Sequence, residues 1–202
     1  MPIVDSKLDV PPTMRAAVYT GQSRVAIERV PTPKLKPGEL LVRVEICGIC
    51  HTDLKKIEHN LLPPPRIFGH ETAGVVAAAG DGVGDFSPGD RVVVFHHIPC
   101  ADCFYCRKKL YAQCPTYKKV GVTAGYEPAG GGFSEYVRVM DWIVRRGVEK
   151  IPDRVPFDRA AFVEPVNTCL KAVKQIDPRP DEVVAIFCLL YTSPSPRDRT
   201  RS

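Results

Sequence analysis

The sequence predicts a mainly β protein with some α-helix, and three features of the chain support this fold class. Short runs rich in valine and isoleucine, separated by glycine and proline, dominate the first part of the chain. Further along, the apolar residues take up helical spacing. The continuous apolar run at 183–187 then predicts a strand that is buried on both faces.

Turn residues separate the predicted elements, as Pro37 and Gly38 do before the third strand. Helical spacing covers 157–175 and is interrupted at Pro165. Residues 1–13 show neither pattern, so we interpret them as an N-terminal extension. The predicted strands are residues 15–19, 25–29, 39–46, 71–79, 91–95, 133–140 and 142–145.

The composition is that of an ordinary globular protein, with 44% hydrophobic and 25% charged residues. The net charge of +5 is modest and is partly due to arginines near the C-terminus, so we expect no nucleic acid partner. No apolar run reaches the length of a membrane span, and the N-terminus lacks a signal-peptide pattern. We therefore expect a cytoplasmic protein with no membrane partner. In that reducing compartment, clustered cysteines are more often metal ligands or catalytic groups than disulfides.

Four of the eight cysteines form the most specific motif. Their spacing is C-x2-C-x2-C-x7-C, in a segment at 96–120 that has little periodicity. Four thiolates suit a tetrahedral zinc ion and leave no coordination position open, so we predict a structural zinc site. An iron–sulfur cluster is the main alternative, but its bacterial motif is C-x2-C-x2-C-x3-C-P and occurs with a second cysteine set. The predicted ligands are Cys100, Cys103, Cys106 and Cys114.

A second group of residues combines one thiolate, one imidazole and carboxylates from distant parts of the chain. Cys47 and Cys50 form a C-x-x-C motif, which read alone is also that of a redox pair. However, His70 and Glu71 follow downstream of Cys50, and Glu164 follows much later. Such a mixed set suits catalytic zinc, which keeps one position open for water or substrate.

Five motifs occur in the order GIC-HTD, GHE-x-x-G-x-V, the four-cysteine segment, GGFSEY and VEP. In this order they resemble the medium-chain, zinc-dependent alcohol dehydrogenase superfamily. A glutamate followed by proline is similar to its polyol and threonine dehydrogenase branches. The resemblance implies a GroES-like, partly open β-barrel as the catalytic domain at 14–175, with the structural-zinc lobe at 96–120. It further implies that 176–187 begin a Rossmann domain with its first strand.

The resemblance also implies roles for the individual residues of the mixed set. Cys50 and His70 match the family's catalytic-zinc ligands. Glu71 matches a carboxylate that binds this zinc directly or stands behind a bound water, and Glu164 takes the place of a further ligand. Asp53 matches the carboxylate that orients the zinc-bound imidazole.

The implied activity is the oxidation of a primary or secondary alcohol or polyol. Zinc lowers the pKa of the alcohol so that an alkoxide forms, which then passes a hydride to NAD or NADP. Thr52 matches the hydroxyl beside the bound alcohol, and His51 matches the imidazole that passes the proton to solvent. The implied cofactors are one catalytic Zn²⁺, one structural Zn²⁺ and NAD or NADP, and the full-length enzyme is expected to be a homo-oligomer.

The glycine-rich, dinucleotide-binding loop expected after residue 187 is absent. Residues 188–202 share no pattern with the preceding chain, and 188–198 can be back-translated in frame as the text of a transposase-based sequencing adapter. We interpret 188–202 as a sequencing-adapter artefact. We expect a fragment truncated after the N-terminal catalytic domain, which binds zinc but does not turn over substrate.

Other functions remain open at this point. A zinc-binding interaction or nucleic-acid-binding module is favoured by the basic and aromatic residues of the lobe, and predicts one zinc ion per chain instead of two. A thiol redox protein would depend on Cys47. A zinc-free quinone reductase of the same superfamily is disfavoured by the complete set of zinc ligands. His96 and His97 are assigned to surface or packing roles, or to a substrate cleft.

Overall fold

The computed structural model describes residues 9–121, 125–126 and 129–185. The strands are β1 (Thr13–Gly21), β2 (Arg24–Pro31), β3 (Leu40–Gly48), β4 (Arg66–Ile67), β5 (Glu71–Ala79), β6 (Arg91–Val94), β7 (Tyr136–Val139) and β8 (Val148–Lys150). The helices are α1 (His51–Glu58), α2 (Phe104–Arg107), α3 (Pro115–Gly121), α4 (Asp141–Gly147), α5 (Phe157–Ala161) and α6 (Val163–Ile176). The prediction of a mainly β fold with some α-helix is confirmed.

The strands form two open antiparallel sheets. The smaller sheet has the order β2-β1-β4, and the larger has the order β7-β3-β5-β6-β8. Within the described residues, neither sheet closes into a barrel, in agreement with a partly open GroES-like arrangement. The N–H of Ala17 donates to the C=O of Phe133 at 2.8 Å, which links β1 to the segment leading into β7.

The main core lies on one face of the larger sheet. Every second residue of two strands faces this core: Leu40 and Val42 in β3, and Val92 and Val94 in β6. These four side chains are at most 2% exposed. This period of two places them on the same face of the pleated sheet. Ile143 of α4 packs into the same cluster. The core therefore holds the central strands in a fixed arrangement.

The strand predicted at 142–145 is wrong, because this segment belongs to α4. The β-branched residues Ile143 and Val144 suggest a strand, but both are buried while the two arginines that follow are exposed. Two buried neighbours followed by two exposed ones are the pattern of a helix face, since strand residues alternate. Packing against the sheet core overrides the strand preference of the β-branched residues. The unpredicted strand β8 follows α4 directly.

The helical region predicted at 157–175 forms α5 and α6, and the break lies at Phe162 instead of Pro165. Pro165 lies in the first turn of α6, where the backbone N–H has no helical partner to lose. The chain divides into two compact units, and their boundary after Val166 falls within α6.

The predicted first Rossmann strand stays a prediction. In its described part, residues 183–185, no strand forms, and residues 186–187 lie outside the described residues together with the interpreted artefact at 188–202. Most of the predicted N-terminal extension, residues 1–8, also lies outside the described residues. No helix in the described ranges is long and apolar enough to cross a membrane.

Candidate active site and metal centres

Three neighbouring strands of the larger sheet meet at one edge, and this edge carries the predicted catalytic ligands. Gly48, at the end of β3, is opposite Glu71, at the start of β5. Cys50 follows the end of β3, and His70 directly precedes β5. Because β6 runs antiparallel to β5, its C-terminal end reaches the same edge, and His96 follows it.

A capping box at the start of α1 holds Cys50. Its Sγ accepts the N–H of Thr52 at 3.4 Å, and its own N–H donates to Oδ2 of Asp53 at 3.1 Å. These bonds satisfy amide groups near the first turn, which the helix itself leaves without partners. The positive end of a helix also favours a thiolate, so the local fold prepares Cys50 as a metal ligand.

Asp53 joins Cys50 to His70. Its side chain is completely buried, and Oδ1 lies 3.3 Å from Nδ1 of His70. The same oxygen accepts the N–H of Gly69 at 3.3 Å. Oδ1 of Asp53 and Nδ1 of His70 lie within ion-pair distance but are not aligned as a hydrogen bond. A carboxylate beside Nδ1 leaves Nε2 to act as a ligand, which is common for histidines at metal sites. The orienting role of Asp53 stays a prediction.

Cys50, His70 and Glu71 converge on a common point. One donor atom from each residue lies within 4.8 Å of the other two. Contact with His70 lowers the pKa of the Cys50 thiol, while burial raises the pKa of Glu71. Burial disfavours a protonated His70, but the Asp53 carboxylate and Cys50 outweigh it and raise the pKa of the imidazole to about 10.

These surroundings fit a metal cation. Anionic groups around His70 stabilise a positive charge between them, and a divalent ion would replace the proton that His70 otherwise carries. One thiolate, one imidazole and one carboxylate are donors that zinc accepts in catalytic sites. The residues present therefore fit the predicted catalytic zinc.

Glu164, the fourth predicted donor, lies in a neighbouring group of ligands. Its carboxylate is in the first turn of α6, and together with His96 and His97 it offers donor atoms within 4.8 Å of one another. The ring centroids of His70 and His96 are 4.7 Å apart, so the two groups adjoin. The structure thus brings three of the four predicted catalytic-zinc residues together and places Glu164 beside the set.

The predicted proton-relay residues and Cys47 lie on either side of Cys50. His51 and Thr52 are exposed in the first turn of α1, and their relay role stays a prediction. The Cys47 thiol is 3.5 Å from Oγ1 of Thr72, and burial raises its pKa to about 12. A thiol that resists ionisation is a poor nucleophile, so the geometry argues against a redox pair of Cys47 and Cys50.

The four-cysteine lobe gathers the sulfurs of Cys100, Cys103, Cys106 and Cys114 within 4.8 Å of one another. The Sγ atom of Cys106 lies 3.6 Å from that of Cys103 and 3.9 Å from that of Cys100. Tetrahedral zinc with Zn–S bonds of about 2.3 Å places its sulfurs about 3.8 Å apart. The backbone N–H of Cys100 also donates to Sγ of Cys114 at 3.3 Å. This geometry fits the predicted structural zinc.

Two features of the site were missed by sequence reasoning. The first is the glycine at position 48, which pairs with Glu71 across β3 and β5. A Cβ at this position would overlap Oε2 of Glu71. His96 is completely buried, which excludes the surface role among those left open for it, and its grouping with His97 and Glu164 was not predicted. The position of His96 directly after a buried strand was the available signal, whereas the need for glycine at position 48 depends on the pairing of β3 with β5.

Comparison with known proteins places the chain among its relatives. A model for the alcohol dehydrogenase GroES-like domain matches residues 36–153. The sorbitol dehydrogenase of Bacillus subtilis (strain 168) is 32% identical over 183 residues, covering 88% of this chain and 50% of that protein. An alcohol dehydrogenase of Geobacillus stearothermophilus is 35% identical over 182 residues, covering 86% of this chain and 51% of that protein.

A similar solved structure is that of the acetophenone reductase from Geotrichum candidum NBRC 4597 in complex with NAD. Its TM-score is 0.72 at 31% identity, and the match covers 85% of this chain and 50% of that one. The chain thus spans about half the length of the curated relatives it matches.

Proposed function

The chain belongs to the zinc-type, medium-chain alcohol dehydrogenase family, and from this premise we propose that it is the catalytic part of an NAD- or NADP-linked alcohol or polyol dehydrogenase. The observation that carries the proposal is the convergence of Cys50, His70 and Glu71 at one sheet edge, with Asp53 behind the imidazole. An interaction or nucleic-acid-binding module would need the cysteine lobe but would leave this convergence unexplained.

In this proposal, Cys50, His70 and Glu71 hold the catalytic zinc. When bound, zinc supplies Lewis acidity that lowers the pKa of an alcohol hydroxyl, and the nicotinamide cofactor accepts a hydride. Asp53 keeps the His70 ring oriented, and the capping box keeps Cys50 in place. The lobe cysteines hold a structural zinc that leaves no open position for substrate.

The first turn of α1 provides the exit for the proton in this proposal. The Thr52 hydroxyl, next to Cys50, would accept the proton of the bound alcohol while it releases its own proton towards His51. The exposed imidazole of His51 would take up that proton and release one to solvent. No residue of the described ranges is assigned to the dinucleotide, which relatives such as the acetophenone reductase bind.

A chimaeric enzyme tests the proposal. Residues 14–176 are joined to the part of the Bacillus subtilis sorbitol dehydrogenase that lies beyond its match to this chain, and NAD(P)H formation is followed with alcohols, polyols and threonine. We expect substrate-dependent formation of NADH or NADPH that Cys50→Ser reduces at least a thousandfold, while Cys169→Ser, an exposed cysteine outside both ligand sets, leaves the rate unchanged. A folded, zinc-loaded chimaera that binds cofactor but oxidises none of these compounds would contradict the proposal.

A further inference from the structure

His96 is an unusual residue for a protein interior. Its side chain is 0% exposed, and neither ring nitrogen has a hydrogen-bond partner among the described residues. A buried polar atom without a partner costs about 1–3 kcal/mol. A neutral imidazole has one nitrogen whose lone pair can bind a metal ion. Among the described residues, both ring nitrogens of this side chain are thus available to a ligand.

His97 and Glu164 complete a donor set around this lone pair. Donor atoms of His96, His97 and Glu164 lie within 4.8 Å of one another. The His96 and His97 rings are 3.7 Å apart, and the His97 ring stacks on Tyr117 at 4.8 Å, which limits its rotation. Three side chains from two distant segments thus face one point.

We propose that His96, His97 and Glu164 bind a further divalent cation, the third of the chain besides the lobe ion and the adjoining ion held by Cys50, His70 and Glu71. Two imidazoles and one carboxylate are a recurring donor set for Zn²⁺, and they also bind Fe²⁺ and related ions. Three protein donors leave at least one coordination position for water or a ligand oxygen. The inference concerns metal binding alone and does not depend on the proposed dehydrogenase activity.

The charged groups around the two donor sets support a further cation. Cys50, Asp53, Glu71 and Glu164 supply four acidic groups. Glu164 lies close enough to Glu71 and Asp53 for their negative charges to act on its carboxylate. Lys56 supplies one positive charge close enough to Asp53 and His96 to interact with both. One divalent ion leaves acidic charge in excess, whereas a second one relieves the repulsion around Glu164.

The two donor sets adjoin but share no residue. The His70 and His96 ring centroids are 4.7 Å apart, which places the two donor sets side by side. The proposal therefore differs measurably from a single ion that uses donors of both sets.

Cobalt titration of the metal-free, 202-residue chain under reducing conditions distinguishes these cases. Co²⁺ bound to thiolate shows a ligand-to-metal charge-transfer band in the near ultraviolet, whereas Co²⁺ bound only by imidazole and carboxylate shows weak d–d bands. We expect three Co²⁺ per chain: one at the cysteine lobe, one at Cys50, and a third that adds no charge-transfer absorption.

Single substitutions show which residues bind each Co²⁺ ion in this titration. His97→Gln and Glu164→Gln should each weaken the third ion at least tenfold and leave both thiolate-containing sites intact. Cys50→Ser should remove its own ion while the His97-dependent ion remains. His59→Gln, an exposed histidine outside both sets, is the matched control and should retain three ions. Far-UV circular dichroism verifies that each variant is folded.

Two outcomes would overturn this third site: only two Co²⁺ per wild-type chain, or the joint loss of the Cys50-dependent and His97-dependent ions when Cys50 alone is changed. Either outcome leaves the proposed dehydrogenase function standing. If instead Cys50→Ser changes neither the charge-transfer band nor the stoichiometry, the proposed catalytic zinc is contradicted while the His97-dependent ion is supported.

Discussion

Gly48 and Glu71 lie opposite each other where β3 pairs with β5, and a Cβ on residue 48 would overlap Oε2 of Glu71. The glycine therefore provides the space in which this carboxylate reaches Cys50 and His70. The relationship connects a backbone position to the chemistry of the site.

Gly48→Ala should displace the Glu71 carboxylate. We expect zinc affinity at the Cys50 set to fall about tenfold to a hundredfold, as for loss of a supporting group. Stability should fall by only about 1 kcal/mol or less, because the overlapped atom is the end of a flexible side chain that can move away. Competition with a chromophoric chelator and chemical denaturation measure the two effects. Gly84→Ala is the matched control, since nothing lies within 4 Å of a Cβ at that position. Equal zinc affinity in the two variants would disprove the role of Gly48.

Asp53→Asn should weaken zinc binding at the Cys50 set about tenfold to a hundredfold, because the neutral amide no longer supports the His70 imidazole. The Asp53 carboxylate helps to raise the pKa of His70 to about 10. Its removal should therefore lower that pKa in the metal-free protein, which an NMR titration of the histidine ring protons can follow. Asp85→Asn, at an exposed carboxylate, should change neither quantity. An unaltered His70 titration in Asp53→Asn would show that the two side chains are not coupled.

Cys47 should resist alkylation. Burial raises its pKa to about 12, so at pH 8 only about one molecule in ten thousand carries the thiolate. The rate of modification should rise about tenfold per pH unit between pH 7 and pH 10 without reaching a plateau. Mass spectrometry of the zinc-loaded Cys169→Ser variant, which lacks the one exposed cysteine among the described residues, measures this rate by identifying the Cys47 peptide. Rapid alkylation of Cys47 at pH 7 would instead support the thiol redox protein.

Removal of metal should unfold the four-cysteine lobe before the sheets. Zinc binding to such sites is worth on the order of 10 kcal/mol, whereas the main core contains none of the lobe cysteines. With a strong chelator, or with Cys114→Ser, we expect loss of hydrogen-exchange protection in α2 and α3, while β3 and β5 stay protected. Cys169→Ser should behave like the wild type. Simultaneous exposure of the lobe and the sheets would show that the lobe is not a separate metal-dependent unit.

Local patterns explain why most strands could be predicted. β1, β3, β5 and β6 consist of apolar, often β-branched runs between turn residues, so their preference agrees with their burial. α4 also contains β-branched residues, but its fold depends on which side chains the sheet core buries. That packing is non-local, and the sequence pattern around residues 142–145 does not report it.

In the candidate site, too, local features could be predicted from the sequence and non-local ones could not. The lobe cysteines are close in sequence, so their spacing alone indicates a metal site. The meeting of Cys50 with His70 and Glu71 was predicted through the order of motifs in a known family. The grouping of Glu164 with His96 and His97 joins segments far apart in sequence, and only the three-dimensional arrangement reveals it.

The shared edge of β3, β5 and β6 determines which changes in chain length the protein can tolerate. Side chains alternate between the two faces of a strand, so deletion of a single residue within β3 would turn the segment before Cys50 by half a period relative to His70. The turn between β5 and β6 lies at the opposite edge, where added residues would leave the ligands in place. Divergence and engineering of this protein should therefore proceed by lengthening that distant turn, while the three strands keep a constant length.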